Sequence, residues 1–167
     1  METILSDERI SWGELWMNTA TLVGKRSLCS RAHYGAVIVS EDNRVLSVGY
    51  NGVPAGNHVD VPCKFWCTRA VTANEIGEHA ISPNYTDCHM VHAEQNAILR
   101  APNLWLERSP VLYVNGVTCI RCALIIANSG IKKVVMLETP YEKKRNPEET
   151  AELLESYRIE VELITWD

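Results

Sequence analysis

Two short stretches of this 167-residue chain have to meet in space, and that requirement limits the fold more than any other feature. One is His92-Ala93-Glu94-Gln95-Asn96-Ala97-Ile98, the other Cys119-Ile120-Arg121-Cys122. An apolar run at helical spacing follows each, so each opens a helix. With the two helix starts side by side, the His92 imidazole and the Cys119 and Cys122 thiolates converge on one cation. A fourth tetrahedral position stays open. Three protein ligands and an open corner describe a catalytic zinc site, whereas a structural one is closed by four.

Glu94, two residues after the histidine, stands beside such a cation without ligating it. A carboxylate there can take a proton from water and return it to a leaving group. Zinc brings the pKa of bound water to about 7, which suits hydrolytic removal of an amino group from a ring carbon. Taken singly, the motifs say less. Cys-x-x-Cys also fits a redox pair or half of a zinc knuckle, and a lone histidine is usually a packed or surface residue. Glu94 between the two favours the catalytic reading.

Hydrophobic residues make up 46% of the chain and charged ones 22%, the balance of a soluble globular domain. One domain with a sizeable core over residues 1–167 is expected. No apolar run approaches the ~20 residues of a membrane span, and Met1-Glu2-Thr3 does not begin a secretory signal, so a cytoplasmic location is expected. The net charge of -5 argues against stable nucleic-acid binding and for a small-molecule substrate. The basic run Lys143-Lys144-Arg145 reads as a solvated turn.

The spacing predicts a first helix over 11–28, with Ser11 as N-cap, Glu14 completing a capping box, and Leu15, Trp16, Thr19, Leu22 and Val23 on its buried face. Tyr34–Ser40 and Arg44–Tyr50 form a hairpin around Glu41-Asp42-Asn43. The second strand feeds the loop from Gly49 to Gly56, whose glycines permit close backbone approach to a ligand. Helices over 92–101, 119–129 and from Pro147 to near Tyr157 alternate with strands over 111–115, 133–138 and 159–163. Alternation after an initial hairpin implies an α/β fold, a mixed sheet covered by helices on both sides.

The stretch from Asn57 to His89 shows no sustained periodicity and reads as an inserted loop within 57–91. It holds His58, Cys63, Cys67, His79, Cys88 and His89. A second, structural zinc on Cys29, Cys63, Cys67 and Cys88 would pin it, with His79 or His89 as the alternatives for one ligand. Small buried or unused thiols are the other reading.

The pair His-x-Glu and Cys-x-x-Cys is the signature of zinc-dependent nucleobase deaminases. The carrying residues extend further: Arg26-Ser27, Cys29-Ser30-Arg31, Gly35-Ala36-Val37-Ile38-Val39, the loop from Gly49 to Gly56, Asn96, and Cys119 to Ile131. On these the chain resembles the deoxycytidylate (dCMP) deaminases of the cytidine deaminase-like superfamily, the phage and bacterial members most of all. The resemblance covers Arg26 to the last strand. It implies a five-stranded, three-layer α/β/α domain, zinc on His92, Cys119 and Cys122, and Glu94 as proton shuttle. It implies further that Asn51 hydrogen-bonds the sugar or phosphate, and that Arg26, with Ser27, holds the 5′-phosphate. It implies as well that the Ala93 N–H and the Val117 carbonyl are partners for the O2 and the amino group of the base. A second zinc, a homohexamer, and activation by dCTP with magnesium are also properties of such relatives.

Two departures stand out. Thr118 occupies the position before Cys119 where the family has proline, and Tyr34 replaces the valine before Gly35-Ala36. The base pocket is therefore expected to differ, with 5-substituted dCMP a candidate substrate beside dCMP. Two other functions are open on sequence grounds. One is deamination of tRNA adenosine or single-stranded DNA cytosine, which calls for a basic or stacking surface. The other is a catalytically silent, zinc-stabilised binding module.

Overall fold

Gly35-Ala36-Val37-Ile38-Val39 carries no polar side chain, a composition suited to a strand covered on both faces. In the computed structural model, which describes residues 9–29, 32–54, 90–138 and 147–165, all five are buried in strand β1 (Gly35–Val39). The chain turns back into β2 (Val45–Tyr50), antiparallel to β1. At the turn the Asn43 N–H donates to the Ser40 carbonyl, and Asn43 takes a φ of 60°. Asparagine tolerates that left-handed conformation, and its side-chain oxygen accepts the Trp16 indole N–H at 3.1 Å.

Three further strands complete the sheet: β3 (Val111–Val114), β4 (Lys133–Leu137) and β5 (Glu160–Ile164). Their order is β2-β1-β3-β4-β5. β3 pairs antiparallel with β1, and β4 and β5 continue in parallel. The two parallel connections are made by helices, α3 (Ile120–Ala127) between β3 and β4 and α4 (Pro147–Ser156) between β4 and β5. Gly130, at φ 96°, ends the turn after α3 as its sequence position predicts. At the β5 edge, Lys133 pairs with Glu160 and Glu162, both at 2.8 Å.

Helix α1 (Trp12–Gly24) covers one face, packing Trp16 and Ala20 on Val37 and Val39, and Met17 on Val135 and Leu137. On the other face α3 and α4 join α2 (Ala93–Arg100). Ala97, Ala123, Ile126 and Leu154 meet Ala36, Ile38, Leu112, Val114, Val134 and Met136 there. The five-stranded mixed sheet between helix layers is the expected α/β/α class.

Two expectations need correcting. Helix α1 is rolled so that Trp16, Met17, Ala20 and Gly24 face the sheet, while Leu22 is 65% exposed. The cause is a close seam: a Cβ on Gly35 would lie 1.9 Å from the Ala20 carbonyl oxygen, so small residues set the contact and leucine is excluded. The helix also stops at Gly24 rather than residue 28. Ser27 turns the chain away, accepting the Cys29 N–H and donating to the Asn51 carbonyl at 2.7 Å. Gly49 makes a close approach to α2: a Cβ there would lie 2.3 Å from the Ala93 oxygen and 2.4 Å from the Ala97 nitrogen.

Cys63, Cys67, Cys88, His58, His79, His89, Arg31 and the Lys143-Lys144-Arg145 run lie outside the described residues, and with them most of the inserted loop and of the second zinc site. Among the described residues, no helix is long and apolar enough to cross a membrane.

Candidate metal centre and active site

β2 and β3 end at the same edge of the sheet, and both motifs begin just beyond it. His92 (φ -71°, ψ 159°) is the N-cap of α2, and Cys119 (φ -81°, ψ 160°) the N-cap of α3. Cys122 lies in the first turn of α3 and is fully buried. The Gln95 side chain fixes the start of α2 by accepting the His92 N–H at 2.9 Å. Two positive helix ends thus point at one spot, a setting that stabilises thiolates.

Nδ1 of His92 lies 3.6 Å from the Cys119 sulfur and 3.3 Å from that of Cys122. Zinc–nitrogen and zinc–sulfur bonds of ordinary length at a tetrahedral angle place the two donors about 3.6 Å apart. The ligand atoms of the three residues all lie within 4.8 Å of one another, the only such group among the described residues. One imidazole and two sulfurs are a zinc donor set, and the spacing fits. Hydrogen bonds from Cys122 and then from His92 hold the Cys119 thiol far below its usual pKa. Cys122 is pushed the opposite way by sharing its proton with Cys119 and by burial.

Glu94, 5% exposed, sits in the first turn of α2. Burial raises its pKa, His92 opposes the rise, and Cys119 adds to it. Thr118, 1% exposed, approaches the centre with its N–H on the Met136 sulfur at 3.4 Å, a bond that proline could not make.

The residues expected on the substrate side are spread over one connected framework. Gly52 and Val91 exchange backbone hydrogen bonds at 3.0 and 2.8 Å, which ties the loop after β2 to the residue before His92. Asn96 donates to the Tyr50 carbonyl at 2.8 Å and strengthens the same junction. Asn51 is 6% exposed, and its amide already spans two backbone groups, accepting the Tyr34 N–H and donating to the Ala32 carbonyl. Arg26 is exposed in the turn after α1, next to buried Ser27. Ala93 is fully buried and Val117 nearly so, at the metal end. Cys29 is half-buried, its carbonyl 2.9 Å from Nε2 of His33.

One residue and one contact escape a motif-based reading. Asn115 brackets the start of β1: its side chain accepts the Gly35 N–H at 2.7 Å and donates to the His33 carbonyl at 3.2 Å. The available signal is an Asn-Gly pair directly after a strand. Tyr34 lies over Gly116, where a Cβ would come within 2.4 Å of its ring. The larger ring and the glycine on the path to Cys119 are thus one packing solution.

Residues 10–138 match the family model described as the cytidine and deoxycytidylate deaminase zinc-binding region. The deoxycytidylate deaminase of Mycobacterium phage D29 is 39% identical over 127 residues, covering 76% of this chain and 94% of that protein. The fission yeast (Schizosaccharomyces pombe) deoxycytidylate deaminase is 33% identical over 154 residues, or 92% of this chain, which spans only 44% of it. In fold, the dCMP deaminase of cyanophage S-TIM5 superposes with a TM-score of 0.65 at 24% identity, over 94% of this chain and all of that one. The extent of the family match, with its ligands gathered at two helix starts, places the chain in the cytidine and deoxycytidylate deaminase zinc-binding family.

Proposed function

We propose that this chain hydrolyses dCMP to dUMP and ammonia, serving pyrimidine deoxynucleotide metabolism as a zinc-dependent deaminase. The observation that carries the reading is the convergence of His92, Cys119 and Cys122 at tetrahedral spacing beside a buried carboxyl that is none of the three. The similarity to deoxycytidylate deaminases supports the nucleotide monophosphate as substrate.

Zinc held by the three ligands would supply a Lewis acid that makes water a nucleophile near neutral pH. Glu94 takes the proton that water gives up as its oxygen joins C4 of the cytosine ring, and delivers it to N3. The remaining proton of the added oxygen then passes through Glu94 to the amino nitrogen as the C4–N bond breaks and the C4 carbonyl forms, and ammonia leaves. The Ala93 N–H, at the first position of α2, has no acceptor within its own helix and donates to O2 of the base. The Val117 carbonyl accepts from the amino group. Arg26, with Ser27 beside it, grips the 5′-phosphate, since a guanidinium fork matches phosphate oxygens, and Asn51 hydrogen-bonds the sugar or the phosphate.

The finer assignments belong to the same reading: one domain over 1–167, a second zinc on Cys29, Cys63, Cys67 and Cys88, activation by dCTP with magnesium, a homohexamer, and work in the cytoplasm, a host's if the gene is a phage's. Ammonia release from dCMP, CMP, dCTP, 5-methyl-dCMP and a cytosine-containing oligonucleotide tests the proposal. Turnover of dCMP well above the oligonucleotide is the expected result. Turnover of the oligonucleotide alone would move the chain to the editing class, and zinc content without ammonia from any substrate would make it a binding module.

A further inference from the structure

The hydroxyl of Thr118 is the one buried side-chain oxygen or nitrogen among the described residues without a hydrogen-bond partner. Such groups are costly and uncommon unless another state of the molecule satisfies them. Proline would serve the turn into α3 without any hydroxyl, and valine would fill the same volume. The backbone here cannot carry the hydroxyl elsewhere, because the Thr118 N–H is held on Met136 and the Cys119 carbonyl accepts the Ala123 N–H at 2.9 Å. Only rotation about the Cα–Cβ bond re-aims it. Thr118 directly precedes Cys119, whose sulfur lies 3.6 Å from the His92 ring, and Glu94 follows His92 by two residues, so the acceptor at hand is the Glu94 carboxyl, itself 5% exposed.

We propose that Thr118 is a positioning residue for Glu94, its hydroxyl donating to the carboxylate in the zinc-loaded enzyme and holding it in line for proton transfer. The inference rests on Glu94 being the proton carrier of the proposed function. A carboxylate is a strong acceptor with lone pairs to spare, and hydrogen bonds to a charged partner are among the stronger ones. Proton transfer also needs its carrier within hydrogen-bond reach of the moving proton. A side chain anchored between a metal ligand and the sheet is well placed to supply that constraint.

Thr118→Val removes the hydroxyl and keeps the shape, and Thr118→Ser keeps the hydroxyl. Three measurements on zinc-loaded protein are compared: kcat and KM for dCMP, zinc per chain, and the infrared carboxylate band that Glu94→Gln abolishes. Thr118→Val should lower kcat about 10- to 100-fold with KM and zinc content close to wild type, and should shift the Glu94 band. Thr118→Ser should restore both the rate and the band. An unmoved band, a wild-type kcat, or a loss confined to KM in Thr118→Val each overturns the proposal. If the wild type does not turn over dCMP, the functional reading fails, and the infrared comparison still decides whether Thr118 bonds to Glu94.

Discussion

Two acidic side chains at opposite ends of the sheet depart from ordinary carboxyl behaviour in opposite directions. Glu94 stands where β2 and β3 end, and burial raises its pKa. Asp42 stands in the turn between β1 and β2, and hydrogen bonds from Arg44 first and Ser40 second lower its pKa to about 2. Asp42 needs nothing beyond its own five-residue turn. Glu94 depends on the whole layered fold, because only α2 packed on the sheet can keep a carboxyl from water. The contrast separates a charge stabilised by its neighbours from one that the fold holds at a disadvantage, and groups of the second kind are concentrated at functional sites.

The largest effect should come from replacing Glu94. Glu94→Gln keeps the volume and the zinc ligands but cannot carry a proton, so kcat for dCMP should fall by about 10³-fold or more while zinc content stays at the wild-type value. The metal-free chain should respond in the opposite sense. A folded-state pKa raised above the unfolded one means that wild-type stability declines as pH rises from the ordinary carboxyl range to the folded value. Thermal melts of metal-free Glu94→Gln should lack that decline. A variant with wild-type turnover, or one that melts in parallel with wild type at every pH, would break the distinction between the two acids.

How much of this was legible beforehand follows from how local each signal is. His92, Glu94, Cys119 and Cys122 could be read because their chemistry is fixed by residue type and short spacing, and the helix starts that aim them lie within the same few residues. Ser11 was readable for the same reason, and its side chain does accept the Glu14 N–H at 3.1 Å. The roll of α1 was not, because hydrophobic periodicity counts Leu22 as a core residue. What decides the roll is the bare Gly35 backbone of another element pressed against Ala20 and Gly24. Asn51 and Asn115 were hard for a related reason. Their amides bind backbone groups far away in sequence, and nothing local announces such a brace.

An intermediate effect should follow from disturbing what holds Glu94 in place without touching the carboxyl. Gly49→Ala puts a methyl group 2.3 Å from the Ala93 oxygen and 2.4 Å from the Ala97 nitrogen, so α2 must move off β2. Overpacking of this kind costs about 1–3 kcal/mol, and a shift of α2 carries His92, Ala93 and Glu94 with it. Denaturant melts should show the loss, and kcat should fall together with it. A Gly49→Ala protein of unchanged stability and rate would mean that the site is less dependent on the packing of α2 than the burial of Glu94 implies.

The smallest effect should come from Asp42→Asn, and its sign matters more than its size. Because the folded pKa of about 2 lies below the ordinary 3.8, the charged carboxylate favours the folded chain. That contribution is fully present above the unfolded value and fades as pH falls through the folded one. Both partners in the pair with Arg44 are well exposed, at 65% and 64%, so water and salt screen it and the stability change at neutral pH should be slight. Wild type and Asp42→Asn should therefore differ a little at pH 6 and converge as pH approaches 2, the reverse of the pH trend set by Glu94. Deamination should be unaffected throughout the range in which the enzyme is folded, since the turn lies at the far end of the sheet. A large loss of activity in Asp42→Asn would show that the hairpin turn and the metal end are coupled through β1 and β2, and would remove the separation on which the contrast between the two acids depends.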